Sequence, residues 1–253
     1  MAKGVSGMMF KNLLTRSKAE DISIINGRRQ KIPFAGDDCN GCGSCVGTCP
    51  TNAITIDGVW TMDAGKCISC MDCADVCERN AIEAIDGPDY VLDRNDLIFR
   101  RGGSKERSCE RLDSEKLKAI GRSIHIREVD TGSCNSCEVE VNSLSNQYYD
   151  VERFGIKIVA SPRHADVLLI TGPVTENMHL ALTKVVAATP NPKVIIAMGS
   201  CAISGGMFIE GNVIGEGVDD TVKVDVFIPG CPPSPDRLIR ALLGAFGLSN
   251  GQR

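Results

Sequence analysis

Eight cysteines between Cys39 and Cys77 fall into two runs of one spacing, C-x2-C-x2-C-x3-C: Cys39, Cys42, Cys45 and Cys49, then Cys67, Cys70, Cys73 and Cys77. Four soft thiolates so closely spaced are a ligand set for a cubane iron–sulfur cluster, and the first run ends in Pro50 as such motifs do. The chemistry that follows is one-electron transfer. CxxC pairs also hold tetrahedral zinc, so a zinc-stabilised scaffold without redox work is the reading from a different class. Four cysteines per run, twice, with a proline flank, favour clusters over zinc.

The two runs are an internal repeat. Shifting residues 38–54 by 28 positions lays one run on the other and carries Asn52-Ala53-Ile54 onto Asn80-Ala81-Ile82. Three closely spaced thiolates wrap one face of a cubane and leave a distant corner open, which the fourth cysteine of the other run fills in two-cluster ferredoxins. The expected sets are therefore Cys39, Cys42, Cys45 and Cys77 for one cluster, and Cys67, Cys70, Cys73 and Cys49 for the other. Gly41 and Gly43 suit the tight backbone turns of the first run. The second run has Ile68, Ser69, Met71 and Asp72 in their place and Glu78 instead of proline, differences that would shift its potential without removing a ligand.

The elements that must position these residues are read from the rest of the chain. Its 253 residues, 43% apolar and 24% charged, suit a globular protein of two domains. A net charge of -4 gives no basic excess for counterion release, which sets nucleic acid aside. The first 20 residues lack an apolar core followed by a small-residue cleavage site, so a reducing, cytoplasmic setting is expected. The apolar stretches at 167–170 and 194–198 are far shorter than the roughly 18 residues of a spanning helix. Residues 1–30 read as an N-terminal extension, in which Met8, Met9, Phe10, Leu13 and Leu14 among basic residues suit a short interface helix or a frayed terminus. Residues 31–90 hold the repeat. Residues 91–122 read as a charged, flexible linker, with a short helix at 113–120 stopped by Gly121 and a free thiol at Cys109.

From residue 123 to 253, β-branched runs at 124–129, 155–160, 165–171, 193–198 and 223–228 alternate with helical patterns at 138–148 and 176–188. A last helix begins with Ser234 as N-cap and Pro235 at its first position. Strand and helix in alternation predict a doubly wound, flavodoxin-like parallel sheet, making the chain α/β with a two-cluster ferredoxin-like domain in front. Cys134 and Cys137 follow the first strand, Cys201 the fourth and Cys231 the fifth. Ligand sites of open α/β sheets lie beyond the carboxyl ends of the strands, so these four thiols can meet there and hold a third [4Fe-4S] cluster. Gly132, Gly199 and Gly230 suit backbones turning beside a bulky group. Four buried thiols that merely pack the loops are the bland alternative.

The strings TGSCNSCEVE at 131–140, RFGIKIVASPRHADVLLITGPVT at 153–175, MGSCAISGGMF at 198–208 and IPGCPPSP at 228–235 resemble the small subunit of membrane-bound NiFe hydrogenases of the formate hydrogenlyase type. That family is similar in turn to the 20 kDa, cluster-bearing subunit of complex I. Residues 120–247 carry the resemblance, and the N-terminal half resembles the eight-iron ferredoxin subunit of the same complexes, here fused. Complex I subunits have two adjacent cysteines at the first ligand position, whereas Cys134 and Cys137 are separated by two residues, as in hydrogenases.

The resemblance implies a non-catalytic electron-relay subunit of an oxidoreductase complex. Its partners would be a large subunit carrying the NiFe site, membrane subunits, and a low-potential donor such as ferredoxin or a formate or carbon monoxide dehydrogenase. It would sit on the cytoplasmic face of the inner membrane through those partners. Three cubanes use twelve of 13 cysteines, leaving only Cys109, so any catalytic metal lies on another chain. The rival within this class is a complex I-like quinone or other reductase lacking nickel. Glu138 and Glu140 are candidates to pass protons toward the large subunit, against the commoner reading of interface carboxylates. His164 is weighed as a neighbour of the third cluster or as a structural residue, Arg163 as the mate of a partner carboxylate or of the anionic cluster or as structural, and His125 and His179 as structural.

Overall fold

The fold is built around two cysteine-rich helical turns and one parallel sheet. The computed structural model describes residues 29–107, 109–120 and 123–248; the amphipathic segment 8–18 and the stop at Gly121 lie outside the described residues.

The repeat forms β1 (Lys31–Ala35), α1 (Ser44–Thr48), β2 (Ile54–Asp57), β3 (Val59–Asp63), α2 (Asp72–Asp75) and β4 (Ile82–Asp86). β1 and β4 pair antiparallel, and β2 and β3 form a hairpin. Gly58 turns that hairpin at φ 69°, a left-handed value that suits glycine. Phe34 and Trp60 pack edge to face, with ring centroids 6.2 Å apart, over the buried Met62. Part of the charged segment 91–122 is ordered structure. A single 3-10 turn at Arg94–Leu97 leads into β5 (Ile98–Arg100), which pairs with β3 and buries Leu97 and Phe99. Val91, Leu97 and Phe99 thus join the core, and Arg94 beside them pairs with Asp63, its Nη1 donating to Oδ1 at 2.9 Å. The short helix follows as α3 (Ser114–Ile120).

The second half contributes β6 (Ile124–Asp130), α4 (Ser136–Ser143), β7 (Ile156–Ile158), β8 (Val167–Thr171), α5 (Glu176–Ala188), β9 (Val194–Met198), α6 (Gly199–Ser204), β10 (Val226–Ile228) and α7 (Pro235–Ala245). The five strands pair parallel in the order β10-β9-β8-β6-β7, the flavodoxin-like order, with its switch point between β6 and β8. The sheet is buried on both faces, as all-parallel sheets are. Val167 and Leu169 of β8 face the cluster containing Leu238 and Leu242 of α7, whereas Leu168 and Ile170 face Leu182 of α5 and the core of the repeat. Each such side chain, fully removed from water, contributes roughly 2 kcal/mol. Ser234 Oγ accepts from Arg237 N at the start of α7, and Pro235 fills its first position.

β7, β10 and α4 are each three residues shorter than their sequence patterns predict. α4 stops at Ser143 because Asn146 Oδ1 accepts from the backbone N–H groups of Tyr148 and Tyr149, both at 2.9 Å, which turns the chain instead of extending the helix. β7 and β10 are three residues each.

The two halves share one core. Val91 exchanges both backbone hydrogen bonds with Phe227 of β10, at 3.0 and 2.9 Å, so the chain leaving the repeat lies along the edge of the sheet.

Candidate functional site

Nine of the twelve candidate cysteines stand on or directly beside α1, α2, α4 and α6, short elements whose first turns place thiols a few residues apart on one side. The chain enters α1 through Gly43 at φ 88°, enters α2 through Met71 at φ 69° and enters α4 through Asn135 at φ 69°. Each is the residue after the second or first cysteine of its C-x-x-C turn. The left-handed step turns the backbone into the helix between an exposed first thiol, Cys42, Cys70 or Cys134, and a buried second one, Cys45, Cys73 or Cys137. Asn52 and Asn80, repeat mates, both sit at φ 50°.

Cys39, Cys42, Cys45 and Cys77 line one cavity of about 90 Å3, together with Ile56 and Ile82. Cys49, Cys67, Cys70 and Cys73 line a second, tighter one of about 20 Å3 walled by Pro33, Pro50 and Ile54. Each cavity draws three thiols from one run and the fourth from the other. Among the described residues no three His, Cys, Asp or Glu side chains close on a point as a single metal ion requires. The thiols surround a volume.

Backbone donors point at the sulfurs. Ala53 N donates to Cys49 Sγ at 3.2 Å, its repeat mate Ala81 N donates to Cys77 Sγ at 3.3 Å, and Ser69 N donates to Cys67 Sγ at 3.4 Å. Such donors favour the thiolate, the form that ligates metal. The Ser44 hydroxyl and backbone hold the exposed Cys42 thiol below its ordinary range. Burial pushes Cys45 up, and the Trp60 N–H beside it pulls the other way. Trp60 Nε1 is buried and has no full hydrogen-bond partner, an orphaned donor on the wall of the first thiol set. Burial raises Cys67 to about 11 and, reinforced by the neighbouring thiols Cys67, Cys49 and Cys70, Cys73 to about 12.

The second-half cysteines converge at the carboxyl edge of the sheet. Burial raises Cys201 to about 12, with Cys231 and Cys134 adding to it, and burial also raises Cys137, followed by Glu138, Cys201, Cys231 and Cys134. Geometry brings them together: a Cβ on Gly199 would meet Cys137 Sγ at 2.9 Å and Gly230 O at 3.5 Å, and Ser200 N donates to Gly230 O at 2.8 Å, which joins the backbones that carry Cys201 and Cys231. Glycines form the wall there: Gly199 sits at φ 89°, and a Cβ on Gly206 would stand 2.9 Å from Cys201 Sγ. The first two sets thus combine soft donors with N–H groups aimed at sulfur, and the third combines soft donors with glycine walls, features that suit [4Fe-4S] clusters.

The remaining sequence candidates separate. Glu138 is buried directly behind Cys137, where its Oε1 accepts from the Thr171 hydroxyl and its Oε2 has no partner. Thr171 Oγ1 also lies 3.0 Å from Glu128 Oε1, and burial, reinforced by Glu138, raises Glu128 above the usual carboxylate range. Glu128 and Thr171 gave no sequence signal, because only the pairing of β6 with β8 brings them to Glu138. Glu140 is half-buried, and burial followed by Asp236 raises it. His164 and Arg163 are exposed on a turn that precedes β8, at the end of the sheet opposite the thiols, so neither neighbours the third set. The reason is direction: β8 carries the chain from that turn toward the cysteine edge. His125 Nδ1 and its backbone N–H both meet Asp166 Oδ2, at 3.0 and 2.9 Å, fastening the starts of β6 and β8. His179 lies half-buried on α5.

Between the halves sits Arg237, 1% exposed. Its Nη1 donates to Pro229 O at 2.7 Å and Gln30 Oε1 at 3.0 Å, and its Nη2 to Gln30 O at 3.3 Å. Burial lowers it to about 10 against the opposing pull of Asp89, which Arg240 holds with two contacts of 3.0 Å.

Comparison with known proteins follows this division. The family described as NADH ubiquinone oxidoreductase, 20 Kd subunit, matches residues 134–245, and the 4Fe-4S dicluster domain matches residues 38–81. The chain is 41% identical over 143 residues to the probable membrane-bound hydrogenase subunit mbhJ of Pyrococcus furiosus, covering 56% of this chain and 86% of that protein. It is 43% identical over 143 residues to formate hydrogenlyase subunit 7 of Escherichia coli, covering 56% of each. It is 44% identical over 108 residues to an NADH-quinone oxidoreductase subunit of Clostridium beijerinckii, covering 42% of this chain and 64% of that one.

Proposed function

Because this chain belongs to the NADH ubiquinone oxidoreductase 20 Kd subunit family, we propose that it is the electron-transfer subunit of a multisubunit, membrane-associated NiFe hydrogenase. It relays electrons between a low-potential donor and a NiFe site on a separate large subunit. Three [4Fe-4S] clusters are held by Cys39, Cys42, Cys45 and Cys77, by Cys67, Cys70, Cys73 and Cys49, and by Cys134, Cys137, Cys201 and Cys231. The observation that carries this reading is the arrangement of thiols in three separate sets of four, two of them exchanging their fourth member across the repeat.

When bound, each cluster supplies a one-electron couple whose potential depends on net charge, hydrogen bonds to sulfur and exposure. The chain's own residues set those conditions. Ala53, Ala81 and Ser69 aim N–H groups at ligand sulfurs, Trp60 presents its indole N–H to the first set, and Ile54, Ile56 and Ile82 keep water from the walls. Gly199 and Gly206 leave the third place open beside Cys137 and Cys201.

With twelve of 13 cysteines engaged, only Cys109 remains, and the catalytic metal belongs to a partner. No helix among the described residues is long and apolar enough to cross a membrane. The similarity to a membrane-bound hydrogenase subunit supports association with a membrane through partner subunits. The domain division that goes with this reading is an extension at 1–30, the two-cluster domain at 31–90, a connection at 91–122 and the small-subunit domain at 123–253.

The 44% identity to an NADH-quinone oxidoreductase subunit supports a second reading, a complex I-like reductase lacking nickel. The separated Cys134 and Cys137, which resemble the hydrogenase pattern, favour the first. Nickel analysis of the complex purified through this chain separates them: stoichiometric nickel is expected, and its absence from an intact complex moves the assignment to the reductase.

A further inference from the structure

Among the contacts between the halves, one joins two cysteine sets directly. Ser200, 1% exposed, stands in the first turn of α6 and is peptide-bonded to Cys201. Its hydroxyl donates to the backbone carbonyl of Cys67 at 3.0 Å, with the Gly230 carbonyl 3.2 Å away, and its backbone N–H donates to Gly230 O at 2.8 Å. Gly230 is in turn bonded to Cys231. One side chain therefore touches a residue of the second thiol set and the backbone carrying two members of the third. One turn on, Ser204 Oγ donates to Gly65 O at 3.0 Å, and a Cβ on Gly65 would stand 2.7 Å from Ile203. The segment 65–67 is thus seated closely on α6.

A second hydrogen-bonded connection between these sets is longer. It runs from Cys67 Sγ through Ser69, Gln30 and Arg237 to Pro229 O. Among the described residues no hydrogen bond from Cys39, Cys42, Cys45 or Cys77 reaches the second half.

We propose that Ser200 is the positioning residue that couples the Cys49/Cys67/Cys70/Cys73 centre to the Cys134/Cys137/Cys201/Cys231 centre, making the former the inner and the Cys39/Cys42/Cys45/Cys77 centre the outer station of the relay. This rests on the electron-relay reading above. Transfer of one electron oxidises the inner centre by one and reduces the third by one; no bond forms or breaks. Ser200 supplies the hydrogen bond that makes Cys67, Ser200 and Cys201 one continuous bonded route and fixes the separation of the two centres.

The test uses the full chain with its clusters, reduced by a light flash and followed by freeze-quench paramagnetic resonance. Ser200→Ala is expected to slow reduction of the third centre several-fold while the potentials and signals of all three persist. Ser200→Thr, which keeps a hydroxyl, restores the rate, and Ser204→Ala, which removes the neighbouring seat on Gly65, leaves it unchanged. Equal slowing in the two alanine variants would make the contact merely structural and overturn the proposal, as would an unchanged rate in Ser200→Ala.

If Ser200→Ala fails to accumulate with three centres, spin-relaxation measurements on the unaltered chain decide. Stronger coupling of the third centre to the inner than to the outer centre supports the assignment, and the reverse sinks it. A chain that holds no third centre at all would instead sink the relay reading itself.

Discussion

Met71 occupies the left-handed backbone well that its repeat mate Gly43 occupies 28 positions earlier, at φ 69° against φ 88°. The ligand turns of the repeat are thus the same shape although their residues differ. Glycine takes that shape freely, whereas a side chain there costs about 1–2 kcal/mol.

Nothing lies within 4 Å of a Cβ built on Gly43, so Gly43→Ala isolates the backbone effect. It is expected to lower stability by about 1–2 kcal/mol. Met71→Gly relieves a similar strain but loosens the unfolded chain, for a net change of about 0.5 kcal/mol or less. Anaerobic guanidinium denaturation, followed by loss of visible cluster absorbance, compares the two. Equal effects would show that the turns are not conformational mates.

Trp60→Phe removes the buried N–H beside Cys45 and keeps an aromatic ring against Phe34. A donor to a ligand sulfur favours the more negative, reduced state, so its loss lowers the potential of the Cys39/Cys42/Cys45/Cys77 centre. A bond worth about 1 kcal/mol corresponds to roughly 40 mV for a one-electron couple. A redox titration read by paramagnetic resonance checks the shift, and an unmoved or raised potential would contradict it.

Gly199→Ala places a methyl group 2.9 Å from Cys137 Sγ at a backbone φ of 89°. Both effects act at the third thiol set and spare the repeat. The variant is expected to lose about one third of its iron while the signals of the two ferredoxin-like centres remain, since each cubane carries roughly four irons. Full iron content in the variant would show that Gly199 does not wall that site.

Arg237→Met leaves the carbonyls of Gln30 and Pro229 short of a donor and Asp89 with one fewer cation beside it. Breaking a buried charged contact of this kind costs about 3 kcal/mol. Because the guanidinium spans both halves, limited proteolysis between them should accelerate along with the fall in stability. Arg237→Lys is not expected to rescue, since an ammonium cannot reproduce the planar fork. A variant with unaltered stability and protease resistance would contradict the clasp.

What the sequence made legible were the features written in local patterns. The cysteine spacing is a property of consecutive residues, and so is the alternation that predicts β6 to β10 and the Ser234-Pro235 start of α7. β5 escaped because its apolar run is only three residues, Leu97-Ile98-Phe99, between charged neighbours, and only pairing with β3 makes it part of a sheet. Trp60, Ser200, Arg237, Glu128 and Thr171 escaped for one reason: each acts on residues brought to it only by the folded chain. His164 reads as a possible neighbour of the third cluster from its place in a family-like string, but the direction of β8 puts it at the other end of the sheet.

The central claim is that this chain holds three cubane centres, and anaerobic iron and acid-labile sulfide analysis with paramagnetic resonance of the reduced protein measures it most directly. A three-centre relay gives roughly twelve irons and twelve sulfides per chain and three interacting reduced-cluster signals. Substantially fewer of either, or a reduced chain without such signals, would contradict it.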